Sequence, residues 1–315
     1  MTIDDAFTRL RRYDDPDLGI SESFAEGLLG PCGSFAVYTS PSDQVKPEGF
    51  VVCPSLGVEQ GNLRRLEALT ARRLAASGFP VLRIRPNPSV VDGSLGTIDL
   101  TVRLREVEDA LQALERLAGP QHIGLVGALF GATVSALAAE RLGLSSLVLI
   151  DPVVRGRQYM REALRRNAIA ELIAAIEEGG GSASQRPLDE LAAQGWTSIR
   201  GLRLTKEEFD SISAVNLLED IKSLRGRSLL IGITPSGNPP PGLRKLADHL
   251  EALQGTPTVE VLREDLPVPF GEFYFADIGP VRADTRLDLD QRLADRVVRW
   301  AAGTTPDATP PTEPA

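Results

Sequence analysis

Short apolar runs alternate with amphipathic segments along the middle of this chain. The apolar runs cover residues 50–54, 80–86, 122–126 and 145–151. The run at 122–126 does not alternate between apolar and polar positions, which predicts a strand buried on both faces, and the run at 50–54 predicts a central strand. Between them, residues 62–76 and the segment that Asp99 opens repeat leucine and valine at helical spacing. The whole pattern predicts a parallel sheet with helices on both faces and right-handed crossovers.

The flanking parts of the chain extend this pattern. Residues 34–39 alternate between apolar and polar side chains, which predicts an edge strand. Residues 227–233 and 258–262 predict the last two core strands, and residues 243–253 and 287–302 predict amphipathic helices. The sheet is therefore expected to resume late in the chain.

The regular alternation stops between residues 152 and 225, and we interpret that segment as a cap inserted over the sheet. The predicted organisation is an N-terminal extension, a core in two parts, the cap and a disordered tail rich in proline and threonine. The N-terminal extension covers residues 1–33, and the core covers 34–151 and 226–302. The cap covers 152–225 and the tail covers 303–315.

A glycine-rich turn follows the apolar run at 122–126. It reads Gly127-Ala128-Leu129-Phe130-Gly131 and leads directly into an alanine- and leucine-rich helix. Strand, tight turn and helix in this order are typical of a nucleophile elbow with the pattern Gly-x-Ser-x-Gly. Leucine stands here where the elbow has serine, and its side chain offers no lone pair for attack on a substrate. Residues 55–59, which follow the strand at 50–54, predict a second loop at the same edge of the sheet.

Composition narrows the function classes. The chain has 315 residues, 42% hydrophobic and 24% charged, which is ordinary for a soluble globular protein. Its net charge of −9 argues against nucleic-acid binding. No apolar window is long enough for a membrane span, and the acidic N-terminus lacks a signal peptide. Two cysteines give neither a disulfide framework nor a metal site, so we expect a cytoplasmic protein without a metal or other cofactor.

The order of elements resembles the α/β-hydrolase fold over about residues 34–302. More narrowly, the chain resembles bacterial hydrolase-like proteins of the serine-aminopeptidase and exosortase-associated branch. The stretches that carry this resemblance are residues 52–57, 127–132, 151–157 and 201–205.

The resemblance implies a position for each member of a Ser-His-Asp triad. The nucleophile position is Leu129, the acid is expected in the loop at 234–238, and the histidine is expected within 263–277. The loop at 234–238 holds no carboxylate, and residues 263–277 include no histidine. The two histidines of the chain, His122 and His249, lie elsewhere, and we assign them structural or surface roles. All three triad positions are therefore predicted to be empty.

Three other residues are candidates for chemistry. Asp151 ends a strand beside the elbow, so it is expected at the mouth of a pocket as an acid, a base or the cap of the next segment. Cys53 ends the strand at 50–54, and Ser55 follows it in the same loop. Neither has a histidine nearby to activate it, which favours a structural role for both.

Other residues are candidates for ligand binding. Arginines follow Asp151 and can hold a carboxylate or phosphate, or form a solvated helix face. An aromatic loop at 266–275 either lines a pocket or fills a vacated site. The predicted ligand-binding residues are Ser55, Leu56, Ala128, Leu129, Phe130, Arg155, Arg157 and Phe270.

The sequence thus predicts a catalytically degenerate accessory protein. It is expected to bind a small ligand, a peptide or a partner enzyme in the cleft above Leu129, without nucleic acid or membrane. One alternative is a hydrolase or lyase with a non-serine mechanism that uses Asp151, Cys53 or Ser55. A second alternative is a structural scaffold or homo-oligomer. The fold alone does not decide among them.

Overall fold

The computed structural model describes residues 12–29, 34–85, 100–177, 187–199, 202–264 and 283–303. Within these ranges the strands are β1 Arg12–Asp15, β2 Ile20–Leu29, β3 Ser34–Pro41, β4 Glu48–Cys53, β5 Val81–Arg85, β6 His122–Ala128, β7 Ser146–Ile150, β8 Trp196–Ile199, β9 Leu202–Thr205, β10 Arg227–Thr234 and β11 Thr256–Arg263. The helices are α1 Gly57–Ala76, α2 Leu100–Ala118, α3 Phe130–Leu142, α4 Gly156–Glu177, α5 Pro187–Gln194, α6 Lys206–Ala214, α7 Leu217–Asp220, α8 Pro241–Ala252 and α9 Ala283–Ala301.

In the described part of the chain, nine strands form one sheet in the order β1-β2-β3-β5-β4-β6-β7-β10-β11. From β5 to β11 every neighbouring pair is parallel. The strands β1, β2 and β3 add an antiparallel edge. This is the mostly parallel sheet, flanked by helices, that the alternating pattern predicts.

The central strands bury both of their faces. Val51, Leu125 and Leu149 point to one face, where they pack with side chains from α2, α3 and α8. Phe50 and Val126 point to the other face, where α1 and α9 cover them. Both faces are dry, which explains why the sequence of these strands shows continuous apolar runs.

Two predictions for the N-terminal part are wrong. The strand at 34–39 is not an edge strand, because β3 pairs with β2 on one side and β5 on the other. The predicted N-terminal extension contributes β1 and β2 to the sheet. Both carry many polar residues, because they form the outer part of the sheet, where one side can face water.

The segment between β7 and β10, predicted as a cap, contains four helices and a two-stranded hairpin among its described residues. The hairpin pairs β8 with β9. The aromatic loop expected at 266–275 lies outside the described residues, as do 86–99, 178–186 and the tail from 304 onward.

Candidate active site

A cleft of about 500 Å³ opens at the carboxyl edge of the parallel strands. Parallel α/β sheets commonly bind ligands at this edge, because strand ends and helix amino ends meet there. The cleft takes Leu129 from the end of β6 and Asp151 from the end of β7. Other polar groups in its lining are Glu59, Arg155, Gln158, Tyr159, Glu162, Arg166 and Lys245.

The turn between β6 and α3 has the predicted tight geometry. Leu129 has a φ of 52°, a value that L-residues rarely adopt. Its backbone N–H donates to the carbonyl oxygen of Ile150 at 2.8 Å. Gly127 is required here, since a Cβ at that position would lie 2.4 Å from the carbonyl oxygen of Gly131. The turn therefore places an apolar side chain at the bottom of the cleft.

Asp151 lies in the next turn along the sheet and also has a positive φ, 47°. Its backbone N–H donates to the carbonyl oxygen of Ile231 at 2.7 Å, which fixes the residue between β7 and β10. Desolvation of its carboxyl, and then the negative charge of Glu59, raise the pKa of Asp151 from 3.8 to about 7. A carboxyl with this pKa exchanges protons readily near neutral pH.

Glu59 is held by two hydroxyl groups. Ser55 Oγ donates to Glu59 Oε2 at 2.7 Å, and the Tyr159 hydroxyl donates to Glu59 Oε1 at 2.7 Å. The Tyr159 ring stacks on Phe130 with centroids 5.9 Å apart. The loop predicted at 55–59 is shorter than expected, because α1 already begins at Gly57. Glu59 therefore lies in the first turn of a helix, where a negative charge is favourable.

Two of the predicted chemical candidates are poor nucleophiles in this structure. Cys53 is only 1% exposed, and burial raises the pKa of its thiol from 9.0 to about 12. The reactive thiolate is therefore absent at neutral pH. Ser55 is also 1% exposed, and its hydroxyl faces Glu59 behind the lining of the cleft.

The predicted ligand-binding residues separate into three groups. Leu129 and Arg155 line the cleft. The buried residues Ser55, Leu56, Ala128 and Phe130 lie behind its surface, and exposed Arg157 lies outside its lining. Phe270 falls outside the described residues. Sequence reasoning missed Glu59 as an individual group, as well as Tyr159 and Lys245.

Neither histidine lines the cleft. His122 begins β6 at the opposite end of that strand and is exposed. His249 lies on α8 with its Nε2 2.8 Å from the carbonyl oxygen of Ile221. A structural or surface role for each histidine stays a prediction.

The described residues offer neither a cluster of metal ligands nor a helix suited to crossing a membrane. They contain no cluster of three or more histidine, cysteine or acidic side chains that is able to hold a metal ion. Within the same ranges, no helix combines the length and apolar character that a membrane crossing requires. A cytoplasmic location stays a prediction.

Several solved structures with a similar fold carry the name of an esterase. Est1E from Butyrivibrio proteoclasticus shares 10% identity with the chain at a TM-score of 0.52, covering 93% of this chain and 98% of Est1E. Est1E with bound ferulic acid shares 12% identity with the chain at a TM-score of 0.56, covering 87% of this chain and 97% of Est1E. An esterase from Pyrococcus furiosus shares 11% identity at a TM-score of 0.50, covering 92% of this chain and 94% of the esterase. No protein-family model and no curated protein sequence matches the chain. The comparisons thus establish the α/β-hydrolase fold.

These structures contradict the prediction of a catalytically inactive accessory protein. The neighbours that share the fold over nearly its whole length are named as esterases, which favours the alternative of an enzyme. The prediction rested on the three empty triad positions, and it kept Asp151 only as part of the alternative. Asp151 lines the cleft, and the pKa of its carboxyl is raised to about 7.

Proposed function

We propose that the protein is a hydrolase in which the carboxyl of Asp151 acts as the general base for attack by water on an ester. The observation that carries this proposal is the pKa of Asp151, raised to about 7 in a cleft at the carboxyl edge of the sheet. The esterase names of the structural neighbours support ester as the bond that is broken. Leu129 supports water rather than a side chain as the nucleophile.

The proposed reaction begins with ionised Asp151. The carboxylate accepts a proton from a water molecule while the water oxygen bonds to the ester carbonyl carbon. The resulting tetrahedral intermediate then breaks its bond to the alcohol oxygen, which takes the proton back from Asp151. One ester and one water give one acid and one alcohol, and the enzyme is unchanged.

The surrounding elements support this step electrostatically. The helix α3 begins directly after Leu129, and its first backbone N–H groups lack intrahelical acceptors. A helix amino end stabilises the negative charge that develops on the carbonyl oxygen. Glu59 keeps the pKa of Asp151 high, and its bonds to Ser55 and Tyr159 hold it in place. Within this proposal, Ser55 and Tyr159 are positioning residues.

Two finer predictions belong to the same proposal. Residues 151–157, part of the resemblance to the serine-aminopeptidase and exosortase-associated branch, supply both Asp151 and Arg155 to the cleft. Residues 152–225 act as a cap, since Tyr159 from α4 and Leu218 from α7 contribute to the lining. Assembly into an oligomer and a protein partner stay predictions.

The test compares wild type with Asp151→Asn on p-nitrophenyl acetate, p-nitrophenyl butyrate and methyl ferulate. Asparagine suits this position, because it keeps the size of the side chain and tolerates a positive φ. We expect kcat to fall by about 10²–10⁴-fold, the usual contribution of a general base. Because the base must be ionised, wild-type kcat/KM rises with pH through about 7.

Asp248→Asn is the matched control, since Asp248 is exposed on α8 and lies outside the cleft lining. Full activity in folded Asp151→Asn would contradict the proposal. Turnover in ¹⁸O-labelled water separates the two reaction classes of the alternative. A hydrolase places one labelled oxygen in the acid product, whereas a lyase yields an unsaturated product without label.

A further inference from the structure

Two cationic side chains at the rim of the cleft are not used by the proposed mechanism. Arg155 directly precedes α4, and Lys245 lies in the second turn of α8. Both line the cleft and both are exposed. No carboxylate among the described residues forms an ion pair with either of them. By contrast, Arg166 Nη1 lies 3.7 Å from Glu162 Oε2, so part of its charge is already balanced.

The amino end of α8 also contributes to the lining of the cleft. Its N-cap is Pro240 and its first residue is Pro241, and no side chain caps it. Neither proline has an N–H group, so the helix's unpaired donors are the N–H groups of Gly242 and Leu243. Both residues line the cleft. The helix dipole adds positive potential at this point, beside the charge of Lys245.

The floor of the cleft has the opposite character. Asp151 and Glu59 both carry carboxyl groups there, and the charge of Glu59 already disfavours ionisation of Asp151. An anionic group on a substrate is therefore repelled from the floor and attracted to the rim. This polarity orients a substrate with its charged end at α8 and its neutral bond at Asp151.

We propose that the substrate is an ester that carries a carboxylate or phosphate group, bound by Arg155, Lys245 and the amino end of α8. The inference rests on the proposed hydrolase function and adds the substrate class. For a dicarboxylic acid monoester, water and the monoester give the dicarboxylate and the alcohol. A guanidinium group pairs with either anion through two parallel N–H···O bonds, so Arg155 is chemically suited to both.

The first experiment compares substrates of matched size. Monoethyl succinate carries a carboxylate, and ethyl levulinate, of nearly the same size, carries a neutral methyl ketone in its place. A butyrate ester of 2-hydroxyethyl phosphate represents the phosphate class. We expect a kcat/KM at least about 10-fold higher for an anionic ester than for the neutral one, with the difference mainly in KM. Because the rim is exposed, added salt is expected to reduce this preference.

The variants Arg155→Gln and Lys245→Gln test the assignment. Each is expected to lower the ratio of kcat/KM for the anionic ester to kcat/KM for the neutral ester about 10-fold, mainly through a higher KM for the anionic ester. Arg157→Gln and Arg244→Gln are matched controls, since both arginines are exposed, neighbour the tested residues and lie outside the cleft lining. Equal effects in tested and control variants would overturn the inference.

Equilibrium binding separates failure of the inference from failure of the proposed function. Calorimetric titration of Asp151→Asn with monomethyl succinate needs no turnover. Binding that is lost in Asp151→Asn/Arg155→Gln supports the anion site even if no ester is hydrolysed. If esters are hydrolysed without any preference for charge, the function stands and the anion site is rejected. Selectivity between the carboxylate and phosphate probes identifies the anion.

Discussion

Leu129 and Asp151 share an unusual backbone conformation at the ends of neighbouring strands. Among the described residues, three that are not glycine have a positive φ, and two of these line the cleft. Such conformations cost of order 1–3 kcal/mol each and persist where the surrounding structure enforces them. Here a hydrogen bond holds each residue in this conformation, because the backbone N–H of each donates to a carbonyl oxygen of a neighbouring strand. The strain is thus concentrated where we place the chemistry.

Glu59 offers a test of how the pKa of Asp151 is set. Glu59→Gln keeps an oxygen that accepts a hydrogen bond but removes the negative charge. Since that charge raises the pKa of Asp151, its loss lowers the pKa. We expect the inflection in the pH profile of kcat/KM to move below 7, and desolvation to keep it above 3.8. A profile over pH 4–9 on a neutral ester measures the shift.

Glu162→Gln is the control for that experiment. It also removes a carboxylate from the cleft lining, but Glu162 is not among the charges that raise the pKa of Asp151. Its inflection is expected to stay where the wild type has it. Equal shifts in both variants would mean that the overall charge of the cleft, rather than Glu59, controls Asp151.

Sequence reasoning found some of these residues and missed others for a physical reason. Leu129 and Asp151 each follow an apolar run directly, so the strand pattern alone places them at the edge of the sheet. Tyr159 and Lys245 reach the cleft from α4 and α8, which are far apart in the chain. Nothing in their local sequence indicates that they face Asp151.

At the scale of elements, burial decided which strands could be predicted. The central strands β4, β6 and β7 bury nearly every residue and are visible as apolar runs. The short strand β1 is mostly exposed, and β8 belongs to a separate hairpin. The start of α1 was missed because its N-cap is Leu56, which offers no side-chain hydrogen bond. A helix without a capping residue lacks the strongest sequence signal of its start.

Two glycine substitutions are expected to have opposite effects on stability, because Gly127 lies where β6 packs closely against α3 and Gly61 lies in open space. Gly127→Ala would place a Cβ 2.4 Å from a backbone oxygen of α3, and neither backbone can move freely. We expect it to lower the free energy of unfolding by at least about 2–3 kcal/mol. Gly61→Ala, within α1, meets nothing within 4 Å. Alanine there is expected to raise stability by about 0.5–1 kcal/mol.

Urea unfolding followed by circular dichroism measures both changes. The comparison is informative because the two substitutions add the same methyl group. If both variants lose stability equally, the close approach of the strand and helix backbones at Gly127 would not be what requires glycine there.

At the scale of the whole molecule, two buried ionisable side chains come from α1 and from the adjacent strand β5. Glu67 of α1 and Arg83 of β5 are each 7% exposed. Burial raises the pKa of Glu67 from 4.5 to about 7, although Arg83 opposes the shift. The Glu67 carboxyl also accepts a hydrogen bond from the backbone N–H of Ser55, the residue that holds Glu59. Ionising Glu67 in the folded protein therefore costs free energy, and this residue lies next to the proposed active site.

This cost predicts how stability depends on pH. Between pH 4.5 and about 7 the unfolded chain has lost the Glu67 proton while the folded chain keeps it. The folded state then binds more protons, so the contribution of Glu67 to stability falls as pH rises and is constant above about 7. The full difference corresponds to about 3 kcal/mol.

Glu67→Gln resembles the protonated form at every pH. We expect the free energy of unfolding of this variant to gain about 3 kcal/mol relative to wild type between pH 4.5 and 7.5. Asp151 also has a raised pKa, but it is present in both proteins, so its contribution cancels in the difference.

Glu207→Gln, on the exposed surface of α6, controls for the loss of one carboxylate. Urea titrations at several pH values measure the gap. A gap that stays constant across this range would show that Glu67 is already ionised in the folded protein at pH 5, stabilised there by Arg83.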